Sequence, residues 1–275
     1  MIYAILAAGV LVVLLAAFHL LTACRRGHPA WQVLKKYRYA HRGYHDKPTI
    51  PENSMAAFRR AVEQGYGAEL DVHLMKDGTL AVIHDGSLKR TAGADVEIED
   101  LTAGDLENYR LEESDERIPL FDEVLELFEG KTPLIIELKM ERDNYAALAE
   151  AVAKRLDSYT GDYCIESFDP RIVSWFRKHR PDTCRGQLSH NYLKDQNSKL
   201  PGFLKFWLGN LLTNISGRPD FVAYYYVQRN RLAPWWCRKL HRAVEVCWTV
   251  TDKQTMEKLE KEKACVIFER FDPKG

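Results

Sequence analysis

The chain has 275 residues, which is enough for one large domain or two small ones. Its 39 lysine and arginine residues balance its 39 aspartate and glutamate residues, so the formal net charge is +0. A chain without net charge has no global electrostatic field to attract a polyanion, and this excludes nucleic acid as an expected partner.

The first segment of the chain is apolar. No charged residue occurs at positions 2–23, and only His19 and Thr22 interrupt the apolar run. About 22 such residues are long enough to cross a bilayer as a helix. A secretory signal usually has basic residues before a shorter apolar core, and none precedes this run. We therefore predict a transmembrane anchor at residues 1–24, with residues 2–23 in membrane lipid.

Basic residues follow the anchor in a predicted juxtamembrane linker at 25–36, which begins with Arg25 and Arg26. Positive charge on this side of the helix predicts a single-pass protein whose main domain is cytoplasmic. One alternative stays open, because the sequence Leu-Thr-Ala-Cys ending at Cys24 resembles a bacterial lipoprotein cleavage site. Cys24 would then be acylated and the domain would be extracytoplasmic. Both alternatives hold the protein at a membrane.

Apolar runs rich in β-branched and aromatic residues alternate with helical patterns after the linker, and this predicts a parallel sheet. The nine runs are Arg38–His41, Ala68–Val72, Leu80–His84, Pro133–Leu138, Tyr163–Ser167, Arg185–Leu188, Phe221–Tyr225, Val244–Val250 and Ala264–Glu269. Only the turn Met75–Gly78 separates the second run from the third, whereas parallel strands need a crossover of about a dozen residues or more. The third run is therefore predicted to be an antiparallel excursion. The other eight predict an α/β fold, a (β/α)8 TIM barrel at 37–275.

Helical patterns occupy most of the connections between these strands. They lie at Met55–Gln64, Pro119–Phe128 and Tyr145–Leu156. Asn53 or Ser54 is expected to cap the first of them. Residues 79–118 are then a small insertion between the second strand and its helix.

Carboxylates recur at the carboxyl ends of two predicted strands. Residues two apart on a strand face the same side, so Glu69 and Asp71 are expected to point into the barrel mouth together, as are Glu137 and Lys139. Three converging carboxylates repel one another unless a hard cation lies among them, which indicates Mg²⁺ or Ca²⁺. On spacing alone, solvated charges at strand ends explain these residues equally well.

The stretch from Tyr39 to Asp85 contains His-Arg-Gly, Pro-Glu-Asn-Ser, Glu-Leu-Asp-Val, Lys-Asp-Gly and His-Asp in that order. This series resembles the signature of the glycerophosphodiester phosphodiesterase family, within the phosphatidylinositol-phospholipase-C-like superfamily. The resemblance implies a TIM-barrel hydrolase that converts glycerophosphodiesters to sn-glycerol 3-phosphate and an alcohol in lipid and glycerol metabolism. It also implies that Glu69, Asp71 and Glu137 bind one divalent cation, Mg²⁺ or Ca²⁺ with Mn²⁺ as a further alternative.

The same resemblance assigns His41 and His84 as the general acid–base pair. A side chain that titrates near neutral pH suits this work, since one imidazole can accept a proton while the other protonates a leaving alkoxide. Arg42 offers a planar fork for two phosphate oxygens, and Lys139 adds a compact positive charge. These two cations are the expected phosphate-binding residues.

Two further residues are candidates for substrate contact. Glu52 lies in the Pro-Glu-Asn-Ser match and is expected near metal-bound water or a substrate hydroxyl, although turn and capping chemistry explains this segment nearly as well. Trp248 lies in a Trp-Thr-Val run that resembles a strand of the family and is expected to pack on the carbon backbone of the substrate, with a place in the core as the alternative. The last strand departs from the family pattern, because Phe268-Glu269 stands where Thr-Asp is usual. The resemblance therefore assigns it no role.

Residues 200–215 place apolar side chains at a period of 3.6 residues over four turns. Such a stripe is typical of a core helix. Its flanking lysines also suit an interfacial helix on lipid, with a lysophospholipid or glycerophosphodiester as substrate.

A lysophospholipase D-like enzyme and a catalytically silent, membrane-tethered binding barrel are the alternative functions. Headgroup preference, oligomeric state, protein partners and the choice between a cyclic phosphate and direct attack by water are not determined by the sequence.

Overall fold

Eight parallel strands close into a barrel in the computed structural model, which describes residues 1–275. The strands are β1 (Tyr39–Ala40), β2 (Gly67–Leu74), β3 (Leu80–Val82), β4 (Leu134–Leu138), β5 (Tyr163–Ser167), β6 (Arg185–Ser189), β7 (Phe221–Tyr225), β8 (Val244–Val250) and β9 (Cys265–Phe268). The helices are α1 (Ile2–Leu21), α2 (Trp31–Leu34), α3 (Met55–Glu63), α4 (Lys89–Ala92), α5 (Phe121–Phe128), α6 (Tyr145–Leu156), α7 (Pro170–His179), α8 (Gly202–Gly209), α9 (Asn214–Gly217), α10 (Leu232–Lys239) and α11 (Lys253–Lys261). Short 3₁₀ helices lie at Ile98–Asp100, Ala103–Asn108, Tyr192–Lys194 and Tyr226–Gln228.

The strand order is β1-β9-β8-β7-β6-β5-β4-β2-β3, and pairing of β1 with β2 closes the barrel. The barrel strands are all parallel to their neighbours, whereas β3 is antiparallel to β2, with Val72 opposite Val82. The chain reverses there in a tight turn in which the Gly78 amide donates to the Met75 carbonyl at 3.0 Å, with Gly78 at φ +84°. The predicted TIM barrel and the antiparallel excursion are both confirmed.

Alternation along β2 separates the packing side chains from the polar ones. Leu70 and Val72 point outward into a cluster of 31 buried residues between the sheet and the helices. Glu69 and Asp71 therefore face the barrel interior, as the two-residue period requires. Ser54 caps α3, because its hydroxyl accepts a hydrogen bond from the Ala57 amide at 3.1 Å. Since Ser54 takes the cap, the preceding asparagine is available to the barrel interior.

The amino-terminal end of the barrel is closed by α2. Trp31 and Leu34 belong to a buried cluster of 12 residues that fills this end of the barrel. The Trp31 ring meets the Phe221 ring edge to face, with 5.0 Å between the ring centroids. The opposite end, where the strands finish, is the end at which TIM barrels carry their sites.

Residues between β2 and α5 form an excursion with a separate core of nine buried residues, among them Met75, Ile83 and Leu88. It contains β3, α4 and two of the 3₁₀ helices. Because β3 runs back from the carboxyl end of β2, the chain that follows it lies beside the barrel mouth.

The amino-terminal helix α1 is long and apolar enough to cross a membrane, and a signal sequence meets the same description. Its side chains are exposed as far as residue 17. The last turn packs on the barrel, where the Phe18 and Trp236 rings meet edge to face at 5.2 Å. Just after the helix, the Thr22 hydroxyl lies 3.2 Å from Nε2 of His241. The apolar helix is thus docked to the barrel by one end only.

The prediction of one four-turn helix at 200–215 is wrong. Helix α8 ends at Gly209, Leu211 has a left-handed backbone with φ +56°, and the short α9 follows. The Tyr224 hydroxyl donates to the Gly209 carbonyl at 2.9 Å, which fixes the end of α8 against β7. Leu211 is buried in a core cluster while Phe203 remains 65% exposed, so the apolar stripe divides between core and surface.

Candidate active site

Three carboxylates meet at the carboxyl ends of β2 and β4. Oxygen atoms of Glu69, Asp71 and Glu137 all lie within 4.8 Å of one another, and the three residues are buried. Asp71 is opposite Glu137 in the parallel register of the two strands. The barrel thus brings together the three residues that the sequence suggested as metal ligands.

Donors surround this acidic cluster. The Arg42 amide donates to Oε2 of Glu69 at 3.0 Å, and Nδ2 of Asn53 donates to Oδ2 of Asp71 at 2.8 Å. Nζ of Lys139 lies 3.2 Å from Oε1 of Glu137 and 3.4 Å from Oδ1 of Asp71. Arg42 and Lys139 therefore flank the carboxylates, as predicted, and leave the three negative charges only partly compensated.

Burial and nearby charges give the three carboxyl groups different pKa values. Burial, with the charges of Asp71 and Glu137, raises the pKa of Glu69 well above its usual range. Burial also raises the pKa of Glu137 to about 7, although Lys139 opposes this. For Asp71 burial is outweighed by the positive charges of Lys139, His84 and Arg42, which lower its pKa. Without a further cation, burial and like charge thus oppose the ionisation of Glu69 and Glu137.

This donor set fits a hard divalent cation. All three side chains offer oxygen, which Mg²⁺, Ca²⁺ and Mn²⁺ prefer. Oδ1 of Asp71 is buried and accepts no hydrogen bond. The Lys139 ammonium, 3.4 Å away, is the cation near this oxygen, and it is shared with Glu137, so the cluster has room for a further positive charge. The residues present therefore suit the metal site that the family implies.

His41 follows β1 and is held by a carboxylate from the last strand. Its Nδ1 lies 2.9 Å from Oε2 of Glu269, and since a carboxylate only accepts, Nδ1 is the donor. Its Nε2 lies 3.9 Å from Oε2 of Glu69. Burial lowers the pKa of His41, and the hydrogen bond to Glu269 opposes that shift. His41 is thus held in one tautomer with Nε2 facing the acidic cluster.

His84 has a similar arrangement on the side of the insertion. Its Nδ1 donates to Oδ1 of Asp85 at 2.6 Å, and Oδ2 of Asp85 accepts from Nε of Arg90 at 2.5 Å. Burial lowers the pKa of His84 to about 4, with Lys139 and Arg42 adding to the effect and Asp71 opposing it. Each predicted catalytic histidine therefore has a carboxylate on Nδ1.

Glu52 lies among basic side chains at the barrel mouth. Its Oε1 accepts from Arg42 at 2.8 Å and from Arg90 at 2.6 Å, and its Oε2 pairs with Lys47. Burial opposes ionisation of Glu52, but the hydrogen bond to Arg90 and the charge of Arg42 lower its pKa. Glu52 contacts no member of the acidic cluster in these bonds. It instead positions the guanidinium of Arg42.

Trp248 lies near the end of β8 in a group of aromatic rings. Its ring centroid is 5.6 Å from that of Phe168, 5.7 Å from that of Tyr225 and 6.3 Å from that of His190. The indole is half-buried. This aromatic wall stands at the mouth, where Trp248 also packs against the buried cluster of the barrel, and its contact with substrate stays a prediction.

Two cavities open at the mouth on either side of the acidic cluster. One of about 740 Å³ is lined by His41 and Arg42, and the other of about 340 Å³ by His84, Glu137 and Lys139. The two histidines thus line separate cavities, and the smaller cavity also includes a carboxylate of the acidic cluster, Glu137. Such a division suits a substrate with a group on each side of a central phosphorus.

Sequence reasoning missed several residues of this site, of which Glu269 and Arg90 are the most informative. Glu269 was given no role because the last strand departs from the family pattern, although a carboxylate stands at the position of the usual aspartate. Arg90, in α4, was not singled out, and no spacing pattern links it to Glu52, 38 positions earlier. The signal for Glu269 was its charge, whereas the contacts of Arg90 depend on how the insertion folds.

A TIM barrel that holds two carboxylate-paired histidines and two basic side chains around an acidic cluster has the parts of a hydrolase of phosphoric diesters. The sequence model of the family described as "Glycerophosphoryl diester phosphodiesterase family" matches residues 41–272. The chain belongs to this family.

Individual relatives agree with this assignment. A glycerophosphodiester phosphodiesterase of Caldanaerobacter subterraneus is 31% identical over 245 residues, which cover 83% of this chain and 91% of that protein. A lysophospholipase D of Rattus norvegicus is 36% identical over 125 residues, covering 41% of this chain and 38% of that protein, so this match spans less than two thirds of the relative. The structure of an Oleispira antarctica phosphodiesterase in complex with the product sn-glycerol-3-phosphate has a TM-score of 0.71 at 21% identity, covering 91% of this chain and 97% of that one. The last comparison shows the shared fold.

Proposed function

We propose that the protein hydrolyses glycerophosphodiesters to sn-glycerol 3-phosphate and an alcohol with the help of one divalent cation. The observation that carries this proposal is the pair of histidines on either side of the acidic cluster, each with Nδ1 bound to a carboxylate. An imidazole held in this way presents Nε2 for proton transfer. The enzyme thus has one proton-transfer group for the nucleophile and one for the leaving group.

The proton transfers divide between the two imidazoles. One accepts the proton of the attacking hydroxyl or water, and the other protonates the departing alkoxide, a division worth about 10²–10⁴-fold in rate. Glu269 and Asp85 keep His41 and His84 in the required tautomer and stabilise the imidazolium form. Burial lowers the pKa of both histidines, and these carboxylates oppose that shift by stabilising the protonated imidazole.

The phosphoryl group is bound by positive charge. Arg42, positioned by Glu52, offers two parallel donors to the phosphate oxygens, and Lys139 adds a point charge on the far side. Burial alone would lower the pKa of Lys139, but Glu137 and Asp71 raise it to about 12, so the ammonium is charged throughout the working range. A divalent cation held by Glu69, Asp71 and Glu137 would supply further electrostatic stabilisation of the phosphorus oxygens.

The nucleophile is either water or the 2-hydroxyl of the glycerol group. Attack by the hydroxyl forms a cyclic phosphate and expels the alcohol, and water then opens the ring. Phosphorus NMR of the reaction mixture distinguishes the routes, since a transient resonance of a cyclic phosphate appears only when the 2-hydroxyl attacks.

A lysophospholipid is the second candidate substrate. The rat relative is named a lysophospholipase D, and exposed apolar side chains of α8 lie in the connection between β6 and β7. Release of choline from lysophosphatidylcholine, with a lipid phosphate as the other product, would identify this activity. Release of glycerol 3-phosphate from glycerophosphocholine identifies the first.

We infer that α1 holds the barrel at a membrane as a single-pass anchor, with the barrel in the cytoplasm. Arg25 bonds both oxygens of Asp220, and Arg26 donates to the carbonyls of Leu240 and His241. The contacts of Phe18 with Trp236 and of Thr22 with His241 precede Cys24 and would be lost on cleavage there, which favours an intact anchor. A reporter fused after the last residue, active in only one compartment, tests the side of the membrane.

The deciding experiment uses the full chain in detergent, with and without EDTA, and measures glycerol 3-phosphate released from glycerophosphocholine and choline released from lysophosphatidylcholine. Metal-dependent product that disappears in His41→Ala and His84→Ala supports the proposal. No product with added Mg²⁺, Ca²⁺ or Mn²⁺ would favour a silent binding barrel.

A further inference from the structure

Exposed large apolar side chains are confined to two parts of the molecule. One is α1, and the other is the segment 193–240, which contains all ten of the rest. Among these, Phe203 and Phe206 of α8 are exposed together with Val227 after β7 and Leu232 of α10. Scattered single apolar residues are normal on a protein surface, whereas confinement to one part of the fold marks an interaction site.

These residues lie on adjoining parts of the barrel. The segment spans the connection from β6 to β7 and the connection from β7 to β8, and these three strands are neighbours in the sheet. We call the surface formed by residues 193–242 the apolar flank. Its members come from α8, α9 and α10 and the turns beside them.

The apolar flank is also basic. Residues 193–242 contain nine lysine and arginine residues against two aspartates, in a chain whose totals are 39 and 39. Of the nine, only Arg229 and Arg238 form ion pairs, both with Glu245 and the first also with Glu262. The two aspartates are already paired, Asp195 with His190 and Asp220 with Arg25. The flank therefore presents unpaired positive charge beside its apolar side chains.

The end of α1 docks on this same flank. Phe18 packs on Trp236 of α10, and Nδ2 of Asn214 in α9 lies 3.5 Å from the Thr22 carbonyl. A helix that crosses a bilayer and is fixed here brings the flank to the lipid surface. The barrel surface next to the anchor is thus apolar and basic, as a membrane interface requires.

The flank borders the barrel mouth through α8. The Ser189 hydroxyl at the end of β6 donates to the Leu208 carbonyl at 2.8 Å, and the Tyr224 hydroxyl near the end of β7 donates to that of Gly209. The next residue after β6, His190, contacts Trp248 of the aromatic wall. Contact of α8 with lipid therefore places the mouth at the membrane surface.

We propose that the apolar flank lies on the surface of a bilayer that contains anionic lipid, with the aromatic and aliphatic side chains at the headgroup boundary and the lysines and arginines on the phosphates. The proposal rests on the membrane anchorage inferred for α1 and is independent of the reaction. It extends lipid contact from residues 200–215 to the whole face between β6 and β8. The side of the barrel formed by the apolar flank then lies against the membrane.

Hydrogen–deuterium exchange of the full chain in nanodiscs tests this surface. We expect peptides from 200–209 and 226–240 to exchange more slowly in discs with phosphatidylserine than in discs of phosphatidylcholine alone. Each basic residue near an anionic surface contributes about a fivefold preference. Substitution of Lys194, Lys199 and Lys205 by Glu is therefore expected to return the exchange rate to the value seen in phosphatidylcholine discs. Reversal of Lys131, Lys154 and Lys261, which are exposed outside the flank, leaves the slowing intact.

Three outcomes would overturn the proposal. Exchange that is independent of lipid charge, or equal in the two triple variants, shows that the flank does not bind anionic lipid. Slow exchange in detergent, together with a dimer in native mass spectrometry, assigns the flank to a second copy of the chain.

Glycerol 3-phosphate release from soluble glycerophosphocholine, measured in the same discs, reports the catalytic proposal separately. A chain that fails to float with the discs would instead refute the anchor.

Discussion

Nδ1 of His41 and Oε2 of Glu269, residues 228 positions apart, lie 2.9 Å from each other at the barrel mouth. Glu269 follows the last strand, where the family usually has aspartate. We predict that Glu269→Gln lowers kcat by about 100-fold, since an imidazole that loses its tautomer loses much of its general acid–base contribution. Because the hydrogen bond to Glu269 raises the pKa of His41 against burial, the limb of the pH–rate profile that reports His41 moves to lower pH.

The control for this variant is Glu269→Asp, which restores the usual residue of the family with a shorter side chain. It is expected to recover part of the activity and to return the limb toward its original pH. Circular dichroism and thermal unfolding would show whether either variant has lost its fold. A Glu269→Gln variant with an unchanged pH profile would show that Glu269 serves only to pack the last strand.

Loss of Arg90 is predicted to shift the pKa of the other histidine, His84, in the opposite direction. It pairs with Asp85, and its loss leaves the carboxylate charge free to act on His84, whose pKa should rise. In Arg90→Gln we expect the His84 limb to move to higher pH, with kcat reduced about tenfold as Asp85 loses its orientation. Full pH–rate profiles of both variants would assign each limb to one histidine.

The neighbouring Lys89→Gln provides the matched control, because Lys89 is exposed and pairs only with Asp95, at 3.7 Å. It should leave both limbs in place. Arg90 also bonds Glu52, so a double variant with Glu52→Gln tests whether Arg90 acts on Arg42 as well. If Arg90→Gln moved the same limb as Glu269→Gln and in the same direction, this assignment of the limbs would be wrong.

The barrel was predictable because its strands are short, apolar and regularly separated. The spacing between Val72 and Leu80 is too small for a parallel crossover, and that alone identified β3 as antiparallel. The two-residue period of a strand likewise placed Glu69 with Asp71 and Glu137 with Lys139. These are local rules, and the structure obeys them.

What the sequence did not predict depends on contacts between distant parts of the chain. Arg90 reaches Glu52 only because the insertion folds back beside the mouth. The helical period at 200–215 was real, but burial of Leu211 and the bond from Tyr224 to Gly209 broke the helix. Tertiary packing overrides local periodicity where an apolar side chain can reach the core by a change of direction.

Divalent cations are predicted to stabilise the folded protein independently of catalysis. A cation that binds only the native state raises the free energy of unfolding, by about 2.7 kcal/mol at a hundred times Kd. Differential scanning fluorimetry with Mg²⁺, Ca²⁺ and Mn²⁺, each against EDTA, measures this gain. The metal with the largest shift in Tm at equal concentration is the preferred ion.

Glu137→Gln separates metal binding from general salt effects. In the absence of metal the variant should be more stable than the wild type, because it removes one of three buried carboxylates that repel one another. With metal it should gain little, because one ligand is lost. A Glu137→Gln variant stabilised as much as the wild type would contradict the assignment of these residues as ligands.

The docking of α1 is predicted to weaken in mild acid through His241. This imidazole is buried at the junction, stacks on His19 with 4.3 Å between the ring centroids and approaches the Thr22 hydroxyl. Burial, together with the charges of His19 and Arg26, lowers the pKa of His241 to about 4. The unfolded chain binds this proton near pH 6.5, so the stability that His241 contributes is complete above that pH and is lost as the pH falls toward 4.

Between pH 7 and pH 5 the loss should be about 1–2 kcal/mol, concentrated at the junction. Hydrogen exchange of residues 18–26 in the detergent-solubilised chain measures it locally. His241→Gln keeps a polar group beside Thr22 but does not titrate, and its exchange at the junction should therefore depend less on pH than that of the wild type. Equal pH dependence in the two proteins would show that His241 does not control the junction, and that the anchor is held there by the Phe18 contact and the bonds of Arg25 and Arg26 alone.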